Sequence, residues 1–353
     1  MGNLDRFKGA AFDEAHYLKN PKSQRTQAAA KVNASIAETQ VMMFLTGTPV
    51  LNRPIEIIEP LVMLGILAET ADGSGRMTRQ QFKSRYCWDG EGYGGSRYEA
   101  ELGKFLRSTC MVRRTKDQVL SELPAKQRVD NWIDLDDVNR KRYEQAAREG
   151  LAAAQGSNAE AIVYINTLRQ LAGHLKARLA VDWAKDFLAT TDKKLVIFAH
   201  HIPVQQGIIR RLTEAGYQVG TILGGASTDQ VEADKDRFMT GDVRVMVCST
   251  KAAGVGHTLT AASDVLMVEQ SWTPADHWQA EDRLHRIGQD KSVTCHYLML
   301  ADSIDTWSYA LIEGKANTVN AIMNSDTGEV EMDSIMTAFL AAMAERYAPA
   351  LAA

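Results

Sequence analysis

The chain has 353 residues, of which 45% are hydrophobic and 24% are charged, and its formal net charge at pH 7 is −4. This composition is ordinary for a globular protein and the length is sufficient for two domains. Because the net charge is close to neutral, it provides no chain-wide attraction for nucleic acid. Any contact with DNA or RNA must therefore use local basic patches.

The cysteines and the apolar runs limit where the protein can work. The four cysteines lie far apart and include no Cys-x-x-Cys pair, which argues against a disulfide framework and against a zinc site. The sequence has no run of about 18 apolar residues and no signal-peptide pattern at its N-terminus. We therefore expect no membrane partner and a cytoplasmic location, associated with the nucleoid in a bacterium or virus and nuclear in a eukaryote.

Two short apolar runs near the N-terminus predict buried parallel strands, separated by a helix from about Thr26 to Glu38. The first, Gly9 to Phe12, stops at the four residues Asp13 to His16, and the second, Val41 to Leu45, stops at a hydroxyl-rich turn. Adjacent carboxylates at the end of a strand can bind a hydrated magnesium ion and polarise a water molecule. Taken alone, however, the four-letter motif fits a polar loop equally well.

A helical stretch from Ile55 to Leu67 leads into a glycine-rich region, Asp72 to Ser96, which we interpret as a surface insertion. A loop that binds the β- and γ-phosphates of a nucleotide needs Gly-Lys-Ser/Thr. The Gly-Lys pairs of this chain are followed by Phe105 and by Ala316. Neither pair is followed by Ser or Thr, so the sequence contains no phosphate-binding loop of this kind.

A basic segment lies in the middle of the chain, between Arg113 and Lys126. Such a run fits either a solvated face or a nucleic-acid contact. Two helical stretches follow, one from about Arg140 to Gln155 and one from Ala161 to Ala189. Their low glycine and proline content suggests helices that connect two lobes.

The α/β alternation then resumes. Its strands are predicted at Leu195 to Phe198, Val219 to Leu223, Val243 to Cys248 and Asp264 to Val268, and its helices at Pro203 to Ala215 and Thr228 to Thr240. The third of these strands ends in the small-residue loop Ser249 to Gly256. A backbone of this kind can approach a ligand or a phosphate closely.

The stretch Gln279 to Gln289, QAEDRLHRIGQ, is predicted to be a short helix that begins near Pro274 and ends before Gly288. Arg283 and Arg286 are three residues apart, a spacing that places both guanidinium groups on one helix face. A solvated amphipathic helix is the alternative interpretation of this stretch on its own.

Six motifs in this order resemble the C-terminal motif series of the Swi/Snf-like superfamily-two helicases. They are DEAH (Asp13 to His16), LTGTP (Leu45 to Pro49), RRTK with LPAK (Arg113 to Lys126), KLVIFAHH (Lys194 to His201), STKAAGVGHTLTAAS (Ser249 to Ser263) and QAEDRLHRIGQ. The resemblance covers roughly residues 10 to 320. It is greatest to the annealing-helicase branch.

The resemblance implies an α/β fold of two RecA-like lobes with parallel sheets flanked by helices. We expect a partial first lobe at residues 1–125 and a second lobe at residues 126–323 with a helical connector at 138–190. Residues 324–353 form a tail that is predicted to be an amphipathic packing or partner helix.

In the first lobe, the resemblance implies that Asp13 meets the magnesium ion of Mg-ATP and that Glu14 positions and polarises the attacking water. His16 would couple the site to the facing lobe. The threonines and the glycine of the second motif would link the nucleotide state to the cleft and the DNA track. These three residues are Thr46, Gly47 and Thr48.

In the second lobe, Gln279 would contact the nucleotide, and Arg283 and Arg286 would be arginine fingers that neutralise charge on the transferring γ-phosphoryl group. The residues implied to line the cleft and the nucleic-acid backbone are Ser249, Thr250, Gly254 and Gly256. The basic pair Arg113 and Arg114 is assigned to DNA. The implied cofactors are ATP and Mg2+, and the implied partner is double-stranded or branched DNA.

The sequence departs from the family pattern in having no Gly-Lys-Thr loop before Asp13. We therefore expect an incomplete first lobe, whose two strands lack partners and expose sheet edges. One hypothesis is the C-terminal portion of an ATP-driven DNA translocase whose loop comes from a separate N-terminal half. The other is a nucleic-acid or protein-binding module that no longer hydrolyses ATP. A smaller departure is His257, where the family usually has an apolar residue.

Overall fold

The computed structural model describes residues 7–35, 41–51, 53–71, 74–88, 95–153, 158–250 and 256–309, together with single residues near the C-terminus (312, 313, 316, 322, 343 and 345). The chain folds as two compact units. Unit 1 is Met1–Arg113 with Glu313–Asp333, and unit 2 is Arg114–Ile312 with Ser334–Ala353. The boundaries predicted at 125 and 323 stay predictions, and most of the predicted tail helix lies outside the described residues.

Unit 1 contains a two-stranded parallel sheet. Strand β1 (Gly9–Phe12) pairs with β2 (Val41–Phe44), with Gly9 opposite Val41 and Phe12 opposite Phe44. The two phenylalanine rings stack at a centroid distance of 5.3 Å. The expectation that these strands lack partners was therefore wrong, because they pair with each other, but the expected exposed sheet edges are present, since each strand has only one neighbour among the described residues.

The prediction that both strands are buried was also wrong. Alternate residues of β2 face solvent, with Val41 63% and Met43 49% exposed. The small cluster that supports the sheet consists of Ala15, Leu18 and Ala29, against which Phe12, Phe44 and Met63 pack. Because a two-stranded sheet covers little surface, one face of each strand stays open to water.

The helices of unit 1 are short. They are a 3-10 helix at Ala15–Lys19, α1 (Gln24–Ser35), a 3-10 turn at Pro54–Ile57, α2 (Ile58–Met63), α3 (Arg79–Tyr86) and α4 (Glu99–Thr109). The helix predicted from Ile55 to Leu67 ends early, because Gly65 adopts a left-handed conformation at φ 70°. The region predicted to be a surface insertion contains α3, whose first turn is closed by a capping box between Thr78 and Gln81.

Unit 2 is built on a six-stranded parallel sheet with the strand order β3-β8-β7-β4-β6-β5. The strands are β3 (Lys126–Ile133), β4 (Leu195–Ala199), β5 (Val219–Ile222), β6 (Val245–Ser249), β7 (Asp264–Met267) and β8 (Val293–Leu300). The three central strands β4, β6 and β7 are buried along their whole length. Such continuous apolar runs are typical of parallel strands covered on both faces.

Helices cover both faces of this sheet. The helices of unit 2 in the described part of the chain are α5 (Lys116–Val119), α6 (Asp137–Ala153), α7 (Asn158–Thr190), α8 (Ile202–Glu214), α9 (Thr228–Thr240) and α10 (Pro274–Glu281), and the last four pack on the sheet. One core lies between the sheet and α7 and α8, around Ala184 and Ile208. The other core lies on the opposite face, around Phe238 of α9 and Ala280 of α10. The predicted α/β class with parallel sheets flanked by helices is therefore confirmed.

No helix among the described residues is both long enough and apolar enough to cross a membrane.

Candidate functional site

The Asp13–His16 motif follows β1 and crosses to the end of β2. The amide of Leu45 donates to the Phe12 carbonyl at 2.8 Å, and the amide of Ala15 donates to the Leu45 carbonyl at 3.0 Å. Between them Glu14 adopts a left-handed conformation at φ 49°, and its amide donates to Asp13 Oδ1 at 2.8 Å. The two motifs predicted from separate strands thus share one turn at the carboxyl edge of the small sheet.

His16 is the buried centre of this turn, with only 4% of its surface exposed. Its Nδ1 lies 2.9 Å from Thr46 Oγ1 and 3.2 Å from Glu14 Oε2. The amide of Thr48 donates to the same Thr46 hydroxyl at 3.1 Å. The structure therefore brings together four residues that the sequence assigned to one site.

The carboxylates of the motif point toward water. Asp13 is exposed, and the Glu14 side chain is 42% exposed. Gly47, in the turn after β2, borders open space, because a Cβ built there meets nothing within 4 Å. Among the described residues no group of three or more His, Cys, Asp or Glu side chains could hold a metal by itself. Magnesium suits such a site, since it commonly takes one or two carboxylates and completes its shell with water and substrate phosphates.

The second group of predicted residues lies at the end of β6 in unit 2. Ser249 is opposite Ala199 of β4, and the amide of Thr250 donates to the Ala199 carbonyl at 3.1 Å. Both side chains are buried. Gly254 lies outside the described residues. Gly256 is described, has a positive φ of 36°, and its carbonyl accepts a hydrogen bond from Arg286 Nη1 at 3.3 Å.

The predicted helix Gln279–Gln289 needs a correction, because α10 ends at Glu281. Pro274 does occupy its first turn, and Thr273 caps it by accepting from the Asp276 amide. After Asp282 the chain turns more tightly, with the amide of Arg283 donating to the Ala280 carbonyl at 3.2 Å. Gln279 lies on the helix and is half-buried.

The two arginines consequently lie in a turn, residues 282–289, which we call the arginine turn. Arg283 is only 8% exposed, whereas Arg286 is exposed to solvent. Gly288 adopts φ 96° within the turn. The prediction that both guanidinium groups lie on one helix face was therefore wrong, and the two side chains have different environments.

Gln289 fixes the end of the arginine turn. Its side-chain amide donates to the Ala262 carbonyl at 2.8 Å and, at longer range, to the carbonyls of Thr260 and Leu284. The Leu259 amide also donates to the Arg283 carbonyl at 2.8 Å. The loop before β7 and the arginine turn are therefore connected by hydrogen bonds at both ends of the turn.

Glu281, which the sequence reasoning missed, is fully buried at the end of α10. Its carboxylate accepts from Arg128 Nε at 2.6 Å, from Lys126 Nζ at 2.7 Å and from the Tyr297 hydroxyl at 2.7 Å. Burial by itself opposes the charge, but hydrogen bonds from Arg128 and the charges of Lys126 and Arg128 outweigh it and lower the pKa of Glu281 to about 2. Glu281 is therefore an ionised, fully hydrogen-bonded carboxylate in the core.

A further set of contacts joins the start of unit 2 to the arginine turn. Lys116 Nζ lies 2.7 Å from Asp282 Oδ1 and donates to the His285 carbonyl at 2.7 Å. His285 Nε2 in turn lies 2.7 Å from the Pro124 carbonyl. Together with the Glu281 contacts, these bonds attach residues 116–128 to residues 281–285, and we call this set of contacts the clamp.

A buried carboxylate also links the ends of β4 and β7. Glu269 accepts hydrogen bonds from the amides of His200 at 2.8 Å and His201 at 2.9 Å, and its other oxygen lies 2.6 Å from His201 Nδ1. Although burial raises the pKa of Glu269, the hydrogen bonds from His201 lower it further and leave it below its usual value. These contacts order the strand ends beside Thr250.

Three other predicted positions have simpler surroundings. Arg113 is half-exposed and Arg114 exposed, in the stretch between α4 and α5. Burial lowers the pKa of Arg113, with a smaller effect from the charge of Arg107. His257 lies 3.7 Å from Glu232 Oε1, and partial burial lowers its pKa.

The chain matches two family models that follow one another. Residues 4–177 match the SNF2-related domain and residues 179–288 match the helicase conserved C-terminal domain. The chain therefore belongs to the SNF2-related, Swi/Snf-like group of superfamily-two helicases, as the six motifs predicted.

The relatives of the chain include two kinds of vertebrate protein. It is 31% identical to the DNA annealing helicase and endonuclease ZRANB3 of Mus musculus, over 91% of this chain and 30% of the relative. It is also 31% identical to the SWI/SNF-related matrix-associated actin-dependent regulator of chromatin subfamily A-like protein 1 of Xenopus tropicalis, over 89% of this chain and 34% of the relative. The chain thus spans about a third of the length of these relatives.

One of the solved structures to which the chain is similar is the Sulfolobus solfataricus SWI2/SNF2 ATPase core in complex with double-stranded DNA. It is 20% identical to this chain, with a TM-score of 0.49, and the match covers 91% of this chain and 69% of that chain.

Proposed function

We propose that this chain is part of an ATP-dependent DNA motor that couples ATP hydrolysis to movement on, or remodelling of, double-stranded DNA. The observation that carries the proposal is the Asp13–His16 turn. It presents two adjacent carboxylates to solvent while the buried His16 bonds to Thr46 of the next motif. Membership of the SNF2-related family supports the same assignment.

In the first unit, we assign Asp13 to the magnesium ion and Glu14 to the attacking water. Mg-ATP supplies the phosphoanhydride bond and the charge that magnesium neutralises. Glu14 is suited to orient a water molecule and accept its proton because its carboxylate is partly solvent-exposed and stands beside Asp13. The His16–Thr46–Thr48 hydrogen bonds hold the backbone of that turn in one conformation.

In the second unit, Arg286 and Arg283 are assigned to the developing charge of the γ-phosphoryl group. Arg286 is exposed and hydrogen-bonded to the Gly256 carbonyl, so it can reach a ligand by a change of rotamer. Arg283 is buried and therefore better fixed. Charge stabilisation of this kind is a principal source of catalysis in phosphoryl transfer.

The proposed activity requires a phosphate-binding loop that another polypeptide segment supplies. The sequence contains no Gly-Lys-Ser/Thr, and a triphosphate needs such a loop for its β- and γ-phosphates. The same observation favours the second candidate function, a module that binds nucleic acid or protein without hydrolysing ATP.

For DNA, we assign Ser249, Thr250, Arg113 and Arg114 to backbone contacts. One relative is a DNA annealing helicase and another is a regulator of chromatin, which supports DNA as the partner. Contacts between arginine and phosphate carry affinity without sequence preference, so binding should fall steeply with salt concentration.

The proposal is tested by measuring phosphate release from Mg-ATP with and without duplex DNA. We expect no DNA-stimulated turnover by the chain alone. We expect turnover to appear when a polypeptide with a strand, a Gly-Lys-Thr loop and a helix is added. If that addition restores no turnover although DNA is bound, the binding-module function is correct and the motor is not.

One result would contradict the prediction that the isolated chain is inactive. Turnover by the chain alone that disappears in Arg286→Ala would show that these residues hold the triphosphate without the loop. The matched control is Arg178→Ala, since Arg178 is an exposed arginine of α7 that lies 3.9 Å from Asp182.

A further inference from the structure

The clamp joins two segments that are far apart in the sequence. Residues 116–128 lie at the beginning of unit 2, which starts at Arg114. Residues 281–285 contain the end of α10 and the first half of the arginine turn. The partners are 153 to 169 positions apart in the chain. The covalent chain from unit 1 therefore enters unit 2 through a segment that is bonded to the turn carrying Arg283 and Arg286.

The contacts of the clamp differ in burial. Glu281 has no exposed surface and holds Lys126 and Arg128 at 2.7 and 2.6 Å. A buried charge that loses its partner is strongly unfavourable, so this part is fixed. The pair Lys116–Asp282, in contrast, has side chains that are 35% and 40% exposed. Exposed pairs are weak and adjustable.

The positions of these contacts have a geometric consequence for the arginines. Glu281 ends α10 and Arg283 follows it by two residues, while Lys116 bonds to both Asp282 and the His285 carbonyl on either side of Arg283. A shift of residues 116–124 must therefore break these bonds or move the arginine turn. One ammonium group thus bonds to the Asp282 side chain before Arg283 and to the His285 backbone carbonyl after it.

We propose that Glu281 is a positioning residue for the arginine fingers and that Lys116 transmits the position of the chain entering unit 2 to the arginine turn. This inference rests on the proposed function, because it takes the arginines to act on a nucleotide. Glu281 and Lys116 do not touch the nucleotide. They set where Arg283 and Arg286 stand when it is bound.

The first test is hydrogen–deuterium exchange on the full chain. Lys116→Met keeps the apolar stem and removes the charge, Lys116→Arg keeps the charge, and Arg210→Met removes a surface arginine of α8 that lies 3.8 Å from Glu214. We expect amides of residues 283–289 to exchange on the order of tenfold faster in Lys116→Met, while amides of β4 do not change. Lys116→Arg should restore protection, and Arg210→Met should have no effect.

The second test is the kinetics of the assembled motor, with the loop-bearing polypeptide added. Misplacement of catalytic groups by about 1 Å can cost up to about a hundredfold in rate. In Lys116→Met and Glu281→Gln we therefore expect kcat to fall about 10- to 100-fold, with KM for Mg-ATP within about twofold of the wild type. Lys116→Arg should retain most of kcat.

The outcomes separate the inference from the proposed function. Unchanged exchange of residues 283–289 in Lys116→Met overturns the inference whatever the kinetics show. Altered exchange with unaltered kcat, in a motor that Arg286→Ala inactivates, also overturns it and leaves the proposed function intact. If the assembled wild type has no turnover at all, the proposed function fails, and with it the positioning role, while the exchange result alone decides whether the clamp orders the turn.

Discussion

The two units place predicted site residues in the same way but support them differently. In both, polar residues lie at the carboxyl ends of parallel strands, with Asp13 and Thr46 just after their strands in unit 1 and Ser249 as the last residue of β6 in unit 2. Unit 2 holds its strand ends on a six-stranded sheet with a core on each face. Unit 1 holds its strand ends on two half-exposed strands above a small cluster. A local turn can thus keep its geometry through a few hydrogen bonds even where the sheet beneath it is small.

The comparison predicts the largest effects at the charged groups of each unit. In the assembled motor, Glu14→Gln should lower kcat by about a thousandfold, because general-base catalysis contributes about a hundred- to ten-thousandfold. Affinity for duplex DNA should stay within about twofold. The measurement is steady-state phosphate release alongside fluorescence anisotropy of a labelled duplex. A kcat within about twofold of the wild type would remove Glu14 from the mechanism.

Arg286→Ala should also lower kcat by about a thousandfold, since an arginine finger contributes about a thousandfold or more. Because the Arg286 side chain is exposed and, among the contacts described, bonds only to the Gly256 carbonyl, its loss should hardly change the midpoint of urea unfolding. Arg283→Ala, at a buried position, should affect both rate and stability. Equal stability losses in the two variants would contradict the different environments of the two arginines.

Substitutions of core residues should lower the free energy of unfolding more in unit 2 than in unit 1. Phe198→Ala removes a fully buried side chain from β4 and should cost about 3–5 kcal/mol of unfolding free energy. Phe12→Ala removes a ring that is only partly buried and should cost about 1–2 kcal/mol. Urea denaturation followed by circular dichroism measures both values. A loss for Phe12→Ala as large as that for Phe198→Ala would show that unit 1 depends on its sheet more than its burial indicates.

A pH dependence of stability should be specific to unit 2. The pKa of Glu281 is depressed to about 2, so its ionisation stabilises the folded state above its usual pKa near 4.5. That stabilisation is lost as the pH falls from about 4.5 toward 2 and amounts to up to ~3 kcal/mol, at 1.36 kcal/mol per pH unit. Urea midpoints of the wild type and Glu281→Gln should converge over this range. If the urea midpoints of the two proteins instead keep a constant difference between pH 4.5 and 2, ionisation of Glu281 does not cause the loss of stability.

Much of the fold was predictable because the central strands are continuous apolar runs. Strands β4, β6 and β7 could be predicted directly from the sequence, since each is an apolar run that is buried along its length. The edge strand β3 was missed because it is mostly exposed and contains Lys126, Arg128 and Asp130. With no apolar run and no clean alternation, its pairing with β8 is decided by tertiary contacts.

The candidate site was predictable as a set of residues but not in its geometry. Helix α10 stops at Glu281 although the following residues have ordinary helix propensity, because Leu259 and Ala262, in the loop before β7, bond to Arg283 and Gln289 of the turn. The clamp could not be predicted either, since its partners are more than 150 positions apart. Only the folded chain shows that a missed carboxylate, Glu281, lies next to the predicted arginines.

The central proposal is that Glu14 and the arginine turn are both needed for ATP hydrolysis once a phosphate-binding loop is supplied. The most direct measurement is DNA-stimulated phosphate release by the chain mixed with the loop-bearing polypeptide, for the wild type and for Glu14→Gln. We predict turnover for the wild-type mixture and a loss of about a thousandfold for the Glu14→Gln mixture. Equal turnover in the two mixtures would contradict the account.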